Sequence, residues 1–243
     1  MPTFTRGATQ IHYEVHGSGY PLLLLAPGGM RSSIPFWERQ PFHPLAEFAD
    51  QFQVIAMDQR NAGGSSAKIS AEDGWHTYTE DQLALLDELG IERCLLHGGC
   101  VGAAFALALI ERAPDRVKAA VLQQPIGLTA GNRQVFYDLF DSWASELQLT
   151  RTDIDPQALP PFRSRMYDTD FVFSVRRQAV EDCQVPLLVL RAVSNDVYHP
   201  PEISEEVARL APHAELVPEW KTGEHVARAV ARVRAFLAEH AAR

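Results

Sequence analysis

Five consecutive residues, Gly98-Gly99-Cys100-Val101-Gly102, place a thiol between glycines where a short apolar run meets a longer apolar helical run. A strand that turns sharply into a helix forces its turn residue into a strained conformation, and glycines two residues before and after relieve the crowding. The side chain of the turn residue then stands above the sheet, beside the helix N-terminus. This is a nucleophile elbow with cysteine in the place of serine. It predicts Cys100 as a nucleophile and the backbone N–H of Val101 as a donor to an oxyanion.

Two other interpretations of Cys100 stay open. A small residue could fill a tight turn, as alanine would, and a designed replacement of serine by cysteine would give the same sequence. The other cysteines, Cys94 and Cys183, lie beside apolar segments and are expected to be small buried hydrophobic residues. Three cysteines without metal-ligand spacing suit a reducing cytoplasmic setting, and no metal or other cofactor is expected.

Apolar runs bounded by Gly, Pro and Asp predict the strands of a parallel sheet that is covered on both faces. Five runs are clear and the sixth is weaker: Tyr20–Ala26, Gln53–Asp58, Arg93–Gly98, Val117–Gln123, Val185–Arg191 and Ala214–Glu219. The N-terminal run TQIHYEVHG alternates in the antiparallel manner, so it is predicted to form an edge hairpin ahead of the parallel strands.

Helical patterns occupy the intervals between these strands. Four are read from apolar spacing and end signals: Glu80–Gly90, Val101–Pro114, Pro201–Pro212 and His225–His240. The alternation of strand and helix predicts an α/β fold with a mostly parallel, doubly wound sheet and right-handed crossovers.

Residues 126–182 break this alternation, because they contain no clear strand and are rich in Phe, Tyr, Trp and Arg. An insertion at this point is predicted to be a small cap over the carboxyl edge of the sheet, where open α/β sheets bind ligands. The chain is thus predicted to consist of a core, residues 1–125 and 183–243, and a cap, residues 126–182.

The aromatic residues of the cap could line an apolar acyl pocket or could close a small hydrophobic core. Trp143, Tyr137 and Phe171 are the candidate substrate-binding residues, and Phe136, Tyr167 and Phe173 belong to the same set. The cap arginines could clamp a substrate carboxylate, although arginines at such density are mostly solvated: Arg163, Arg165, Arg176 and Arg177.

Length and charge exclude some classes of function. A chain of 243 residues suits one sizeable domain. The formal net charge of −9 argues against a protein that tracks nucleic-acid phosphates. No secretory signal and no apolar run of about 18 residues is visible, so neither export nor a membrane partner is expected.

Further segments match a known pattern in order, and the chain resembles the α/β-hydrolase fold family over nearly its full length. LLLLAPGG is similar to the strand and glycine-rich oxyanion loop of the family, and the resemblance implies that Gly29 supplies the second oxyanion N–H. DQRNAGGSS is similar to the family's D-x-R-x-x-G-x-S stretch, which implies structural roles for Asp58 and Arg60.

The resemblance also implies an acid and a base. It puts Asp196, after the run VPLLVLR, in the position of the catalytic acid, and His225, before the last helix, in the position of the catalytic histidine. Asp196 could instead cap its loop, and His225 could be merely exposed. His97 and His199 lie near the predicted site, but the pattern assigns neither a role.

A triad of Cys100, His225 and Asp196 implies hydrolysis of an activated acyl bond through an acyl-thioester. The expected partner is a small-molecule acyl substrate such as a lactone, ester or thioester, and the question of a homodimer stays open. Two alternatives remain: acyl transfer or carbon–carbon lyase chemistry at the same site, and a non-catalytic receptor for a small ligand.

Overall fold

A computed structural model describes residues 2–193 and 196–242. Eight strands form one sheet: β1 (Thr3–Arg6), β2 (Thr9–His16), β3 (Tyr20–Leu25), β4 (Phe52–Met57), β5 (Cys94–Gly99), β6 (Val117–Gln123), β7 (Leu187–Leu190) and β8 (Ala214–Val217). The strand order is β1-β2-β4-β3-β5-β6-β7-β8. β1 pairs with β2, and β2 with β4, in the antiparallel direction, and the remaining five pairs in the described ranges are parallel. The predicted α/β fold with an N-terminal hairpin is confirmed.

The described ranges also contain eight α-helices: α1 (Pro44–Phe48), α2 (Trp75–Glu88), α3 (Val101–Arg112), α4 (Arg133–Thr150), α5 (Leu159–Tyr167), α6 (Arg177–Glu181), α7 (Pro201–Leu210) and α8 (Glu224–Ala241). Short 3₁₀ helices add Gly29–Arg31, Ile34–Arg39, Pro114–Arg116 and Pro156–Ala158. None of the helices in the described ranges combines the length and apolar character needed to cross a membrane.

Helix α2 begins five residues before the predicted start at Glu80. Gly74 caps it in an extended conformation: its N–H donates to Thr77 Oγ1 (3.1 Å), and its carbonyl accepts from the Thr77 N–H (2.9 Å). The carboxylate-rich stretch read as the helix start therefore lies inside the helix.

Two apolar layers cover the sheet. On one face, α3 packs against β5 and β6 with fully buried residues such as Phe105 and Leu109. On the other face, α1 and α8 bury Phe48 and Leu237 against the sheet. Strand β5 lies at the centre with all its residues buried, so the turn that follows it is held firmly from both sides.

The loop after β4 is fixed by buried charges, as the sequence resemblance implies for Asp58 and Arg60. Asp58 accepts the backbone N–H groups of Ile34 and Gly64, both at 2.7 Å. Arg60 pairs with Asp81 at 2.7 Å in a buried ion pair. These contacts brace the chain segments that lead to the glycine-rich loop after β3.

Candidate active site

Cys100 occupies the turn between β5 and α3 with φ +58° and ψ −119°, a conformation that L-residues rarely adopt. The flanking glycines make the turn possible. A Cβ on Gly98 would lie 2.2 Å from the carbonyl oxygen of Gly102, and one on Gly102 would lie 1.9 Å from that of Leu25. The partly exposed side chain of Cys100 thus stands at the N-terminus of α3.

The histidine next to the Cys100 thiol is His199, which the sequence pattern left without a role. Both side chains line the same cavity, and the interaction between them lowers the pKa of Cys100 and raises that of His199. His199 follows β7 in the loop that leads to α7, and its side chain is buried. Its Nε2 atom meets no hydrogen-bond partner among the described residues. Contacts between nucleophile and base are often imperfectly aligned in unliganded enzymes.

Asp196 holds the other side of the His199 ring. Its Oδ2 lies 2.6 Å from His199 Nδ1, and its Oδ1 accepts the backbone N–H groups of Tyr198 (3.0 Å) and His199 (3.3 Å). One carboxylate therefore shapes the turn and orients the imidazole at its end. The loop-capping role left open for Asp196 and the contact with a histidine occur together.

The three side chains shift one another's protonation. Burial alone would raise the pKa of the Cys100 thiol, but the charge and hydrogen bond of His199 lower it below its ordinary value. Burial opposes the imidazolium, yet the Cys100 thiolate and Asp196 raise the pKa of His199 to about 9. The hydrogen bond from His199 lowers the pKa of Asp196 to about 2. This arrangement favours a thiolate–imidazolium pair at neutral pH.

His225, the histidine that the resemblance put in the role of the base, does not line the cavity at Cys100. It lies in the first turn of α8, with Nε2 at 3.4 Å from Glu219 Oε2. It faces a separate hollow of about 260 Å³ shared with Trp220 and Lys221. The start of α8, at the positive-φ residue Gly223, holds the ring on this side. The structure thus corrects the expected pairing of Cys100 with His225.

The spacing of Asp196 and His199 is the signal that could have found the second histidine. An aspartate three residues before a histidine is typical of a turn in which the carboxylate reaches both the backbone and the ring. The prolines that follow, Pro200 and Pro201, end this turn and start α7.

Two backbone N–H groups near Cys100 affect its thiol. Those of Gly28 and Val101 help to lower its pKa. Gly29, which the resemblance implies as a donor to an oxyanion, lines the same cavity. Gly28 has φ +122°, and a Cβ added to it would lie 3.0 Å from the Phe36 ring.

A cavity of about 450 Å³ opens above Cys100. Its lining combines the glycine-rich loop, the elbow, cap residues and the His199 loop: Gly28, Gly29, Arg31, Phe36, Arg39, Cys100, Val101, Ile126, Phe136, Leu139, Tyr167, Tyr198 and His199. Except for the two arginines and the nucleophile with its histidine, the walls are largely apolar and aromatic. A small acyl group fits such a site.

The three aromatic residues expected to bind substrate do not line this cavity as the described residues define it. Trp143 is buried in the core and donates its Nε1 proton to the Asn61 carbonyl (3.1 Å). Tyr137 donates to Asp168, and Phe171 is buried beneath the Arg177 guanidinium. Residues 126–182 contribute Phe136, Leu139 and Tyr167 to the lining instead. Some of their aromatic side chains therefore line the cavity, and others are buried in the hydrophobic core.

Three of the four cap arginines are engaged by carboxylates. Arg163 pairs with Asp141 (2.6 Å), Arg165 with Glu72 (2.8 Å), and Arg177 with Asp170 and Glu206 (2.6 and 2.7 Å). None of the four lines the cavity at Cys100 as described. The three paired arginines form surface ion pairs rather than a substrate clamp.

His97 lies near the site but has no catalytic geometry. His97 is fully buried, with its pKa lowered to about 4 by burial, and Nε2 lies 3.1 Å from Gln123 Oε1. It packs edge-on against Trp37. In the described part of the chain, no three His, Cys, Asp or Glu side chains converge as ligands of a metal ion.

Comparison with known proteins shows one family. Residues 21–217 match the family model described as the alpha/beta hydrolase fold. The chain is 32% identical over 125 residues to a candidate carbamate hydrolase, RutD, of Azorhizobium caulinodans. It is 30% identical over 124 residues to the 2-hydroxymuconate semialdehyde hydrolase of Pseudomonas sp. strain CF600. Each match covers 50% of this chain and 43% of the relative, so this chain spans less than half the length of these relatives.

Solved structures share the whole fold at low sequence identity. The meta-cleavage product hydrolase CumD of Pseudomonas fluorescens IP01 gives a TM-score of 0.73 at 18% identity, over 98% of both chains. The enol-lactonase of Burkholderia xenovorans LB400 gives 0.69 at 22% identity, over 98% of this chain and 100% of that one. At such identities the likeness extends to the fold alone.

Proposed function

Because the chain belongs to the alpha/beta hydrolase fold family, we propose that it hydrolyses an activated acyl bond in a small molecule, using Cys100 as the nucleophile. His199 is the base and Asp196 the acid that orients it. The substrate is an ester, a lactone or a thioester. The names of the relatives, which include a carbamate hydrolase, an enol-lactonase and esterases, support hydrolysis as the class of reaction.

One observation carries the proposal: Cys100 and the buried His199 line the same cavity and interact electrostatically, and Nδ1 of His199 lies 2.6 Å from Oδ2 of Asp196. A nucleophile, a base and a group that orients the base are thereby joined in one chain of contacts. The strained backbone of Cys100 adds support, because such strain is retained where it aims a reactive side chain.

The reaction proceeds in two displacements. The Cys100 thiolate attacks the carbonyl carbon, a carbon–sulfur bond forms, and the carbonyl electron pair moves to oxygen. As this oxyanion collapses, the bond to the leaving group breaks, and the His199 imidazolium protonates the leaving oxygen or sulfur. The neutral His199 then takes a proton from water, which attacks the acyl-thioester and releases the acid and the thiol.

Backbone N–H groups of the elbow and the glycine-rich loop stabilise the oxyanion in this scheme. The N–H groups of Val101 and Gly28 help to lower the pKa of the resting thiol, and the N–H of Gly29, which lines the cavity, is a further donor. When the sulfur becomes bonded to carbon and loses its charge, these donors are free to turn to the developing oxyanion.

A thiolate favours activated acyl groups. It leaves more readily than an amine anion, so a tetrahedral intermediate formed from an ordinary amide returns to substrate unless the amine is protonated first. Phenol, enol and thiol leaving groups depend less on that help. We therefore expect esters, lactones and thioesters to be better substrates than amides.

The proposal is tested by intact-mass measurement after mixing with a panel of aryl esters, lactones and thioesters. The expected result is a transient acyl adduct on the wild type that is absent from Cys100→Ala, together with loss of turnover in that variant. Reaction in ¹⁸O-labelled water distinguishes hydrolysis, which places label in the acid product, from acyl transfer or a lyase step. Unchanged turnover in Cys100→Ala would refute the nucleophile.

A further inference from the structure

We infer that Arg39 forms a carboxylate-binding subsite at the mouth of the Cys100 cavity. The substrate would then be an acyl compound that carries a second, ionised carboxylate in addition to the bond that is cleaved. This inference rests on the proposed function, since it names the substrate class of the same site.

The charges on the cavity wall point to an anion. Two arginines line it, Arg31 and Arg39, and no Asp or Glu is among its described lining residues. Arg31 is neutralised, because its Nε and Nη2 atoms lie 2.9 and 2.6 Å from the two carboxylate oxygens of Glu146. Arg39, in contrast, forms no hydrogen bond or ion pair through its side chain with any residue in the described ranges. It is therefore the unneutralised arginine of this wall.

The guanidinium of Arg39 is held in place without a charged partner. Its central carbon lies 4.9 Å from the centre of the Phe36 ring, which also lines the cavity. Both residues belong to the 3₁₀ helix Ile34–Arg39. The next residue, Gln40, is tied to the sheet by the amide of Gln123 at 2.9 Å. A guanidinium resting on an aromatic ring keeps the N–H donors of its edge available for a planar anion.

A carboxylate fits these donors better than other small groups do. The guanidinium presents parallel N–H groups that match the two oxygens of a carboxylate. The chain as a whole carries a net charge of −9 and repels anions at long range, so a local cation matters for an anionic substrate. The thiolate of Cys100 repels a carboxylate as well. The charged end of the substrate would therefore lie at Arg39 while the neutral acyl bond lies at Cys100.

Paired substrates of similar shape test the subsite. In the first pair, the mono-p-nitrophenyl ester of glutarate is compared with p-nitrophenyl butyrate. The glutarate ester carries the extra carboxylate on the acyl side. In the second pair, the butyrate ester of 4-hydroxybenzoate is compared with the butyrate ester of methyl 4-hydroxybenzoate. Here the first compound carries the extra carboxylate on the leaving group. In the wild type, kcat/KM is expected to be higher for the charged member of at least one pair. In Arg39→Gln that preference falls about tenfold.

A matched control removes the same charge elsewhere. Arg112, at the exposed end of α3, lies outside the cavity lining, and Arg112→Gln is expected to keep the wild-type preference. Arg39→Lys retains the charge but not the planar fork, so its preference is expected to fall between those of wild type and Arg39→Gln. The preference should also weaken as ionic strength rises, because Arg39 is exposed.

Binding separates this inference from the proposed function. Titration calorimetry measures the affinity of glutarate monoethyl ester for Cys100→Ala and for Cys100→Ala/Arg39→Gln. Weaker binding by the double variant supports the subsite even if no acyl-thioester ever forms. Acyl-thioester formation from neutral esters, with no preference for charge in either pair and equal binding by the two variants, would overturn the subsite and leave the hydrolase proposal standing.

Discussion

The Nδ1 atom of His199 lies 2.6 Å from Oδ2 of Asp196, and the two residues are only three positions apart in one turn. The same carboxylate accepts the backbone N–H of His199, so ring and backbone are fixed by a single group. Candidate acid and base thus come from the loop after β7, whereas the resemblance implies that the base comes from the segment before the last helix. Any change in this loop should move both residues together relative to Cys100.

Replacing His199 should remove most of the activity, and replacing His225 should not. General acid–base catalysis by a positioned histidine contributes roughly 100- to 10,000-fold. We expect kcat/KM of His199→Gln on an aryl ester to fall by a factor within that range. His225→Gln serves as the matched control, because its ring pairs with Glu219 in a different hollow. Equal losses in the two variants would contradict the assignment of His199.

The reactivity of Cys100 should persist below the pH at which ordinary thiols are reactive. Burial raises the pKa of Cys100, but the stronger combined effect of His199 and the backbone N–H groups lowers it. The rate of alkylation by iodoacetamide should therefore fall only when the pH drops below this lowered pKa. It should stay high above pH 9, because alkylation needs the thiolate alone.

Hydrolysis should have a different alkaline limit from alkylation. In the proposed mechanism the leaving group is protonated by the His199 imidazolium, whose pKa is raised to about 9 by Cys100 and Asp196 against the effect of burial. We expect kcat/KM to decline above about pH 9 while alkylation does not. Coincident alkaline limbs in the two profiles would argue against the imidazolium as the proton donor.

Asp196→Asn should lower the pKa of the His199 ring without disturbing the turn that holds it. The amide keeps an oxygen that can accept the N–H groups of Tyr198 and His199, so the turn should survive. The charge that helps to raise the pKa of His199 is lost, and that pKa should move down from about 9 toward its ordinary value. The change is measured by NMR titration of the histidine ring, with the kcat/KM profile as the second readout. An unchanged His199 pKa would show that Cys100 alone sustains it.

Much of the fold follows from sequence pattern because its signals are local. The apolar runs around Leu23, Ile55, Leu96 and Val121 are short and continuous, and a short run bounded by turn residues is typical of a strand buried on both faces. The elbow can likewise be recognised from five consecutive residues. Gly98 and Gly102 are needed there because a Cβ would clash within the turn or with the adjacent strand. These features could be read without any knowledge of distant packing.

The partners of Cys100 could not be read in the same way. His199 and His225 both follow the last parallel strands, and chain order does not tell which ring turns toward the sulfur. Gly28, which the sequence pattern did not single out, helps to lower the pKa of the Cys100 thiol, and its backbone takes φ +122°. Direction of a side chain at a loop depends on packing between segments, and a single sequence does not record it.

Asn132 should position the loop that carries Asp196 and His199. Its side-chain amide is buried, and Nδ2 donates to the carbonyls of Gly127 and Val197, both at 2.9 Å. Asn132→Ala leaves these carbonyls without that donor, which should cost about 1–3 kcal/mol of unfolding free energy. It should also shift the pH dependence of Cys100 alkylation. Urea denaturation and the alkylation profile are the measurements.

Gln134→Ala is the control for that effect. Gln134 lies on the same helix, α4, and its side chain hydrogen-bonds to Asp138 at the surface (2.8 Å). We expect its unfolding free energy to change by less than about 0.5 kcal/mol, with no shift in the alkylation profile. If Asn132→Ala lowers stability but leaves the alkylation profile of Cys100 unchanged, Asn132 supports the fold without positioning the site.

Strain at the elbow should be measurable by comparing two variants that both lack the thiol. Cys100 holds φ +58° and ψ −119°, which glycine adopts freely and alanine does not. Cys100→Gly should therefore be more stable than Cys100→Ala by about 1–3 kcal/mol in urea denaturation, the reverse of the usual order of the two residues. Gly131→Ala controls for the ordinary effect, because its added Cβ meets no atom within 4 Å and its φ lies outside the left-handed range. If Cys100→Ala proves as stable as Cys100→Gly, the native turn stores no strain, and the orientation of the thiol does not lower the free energy of unfolding.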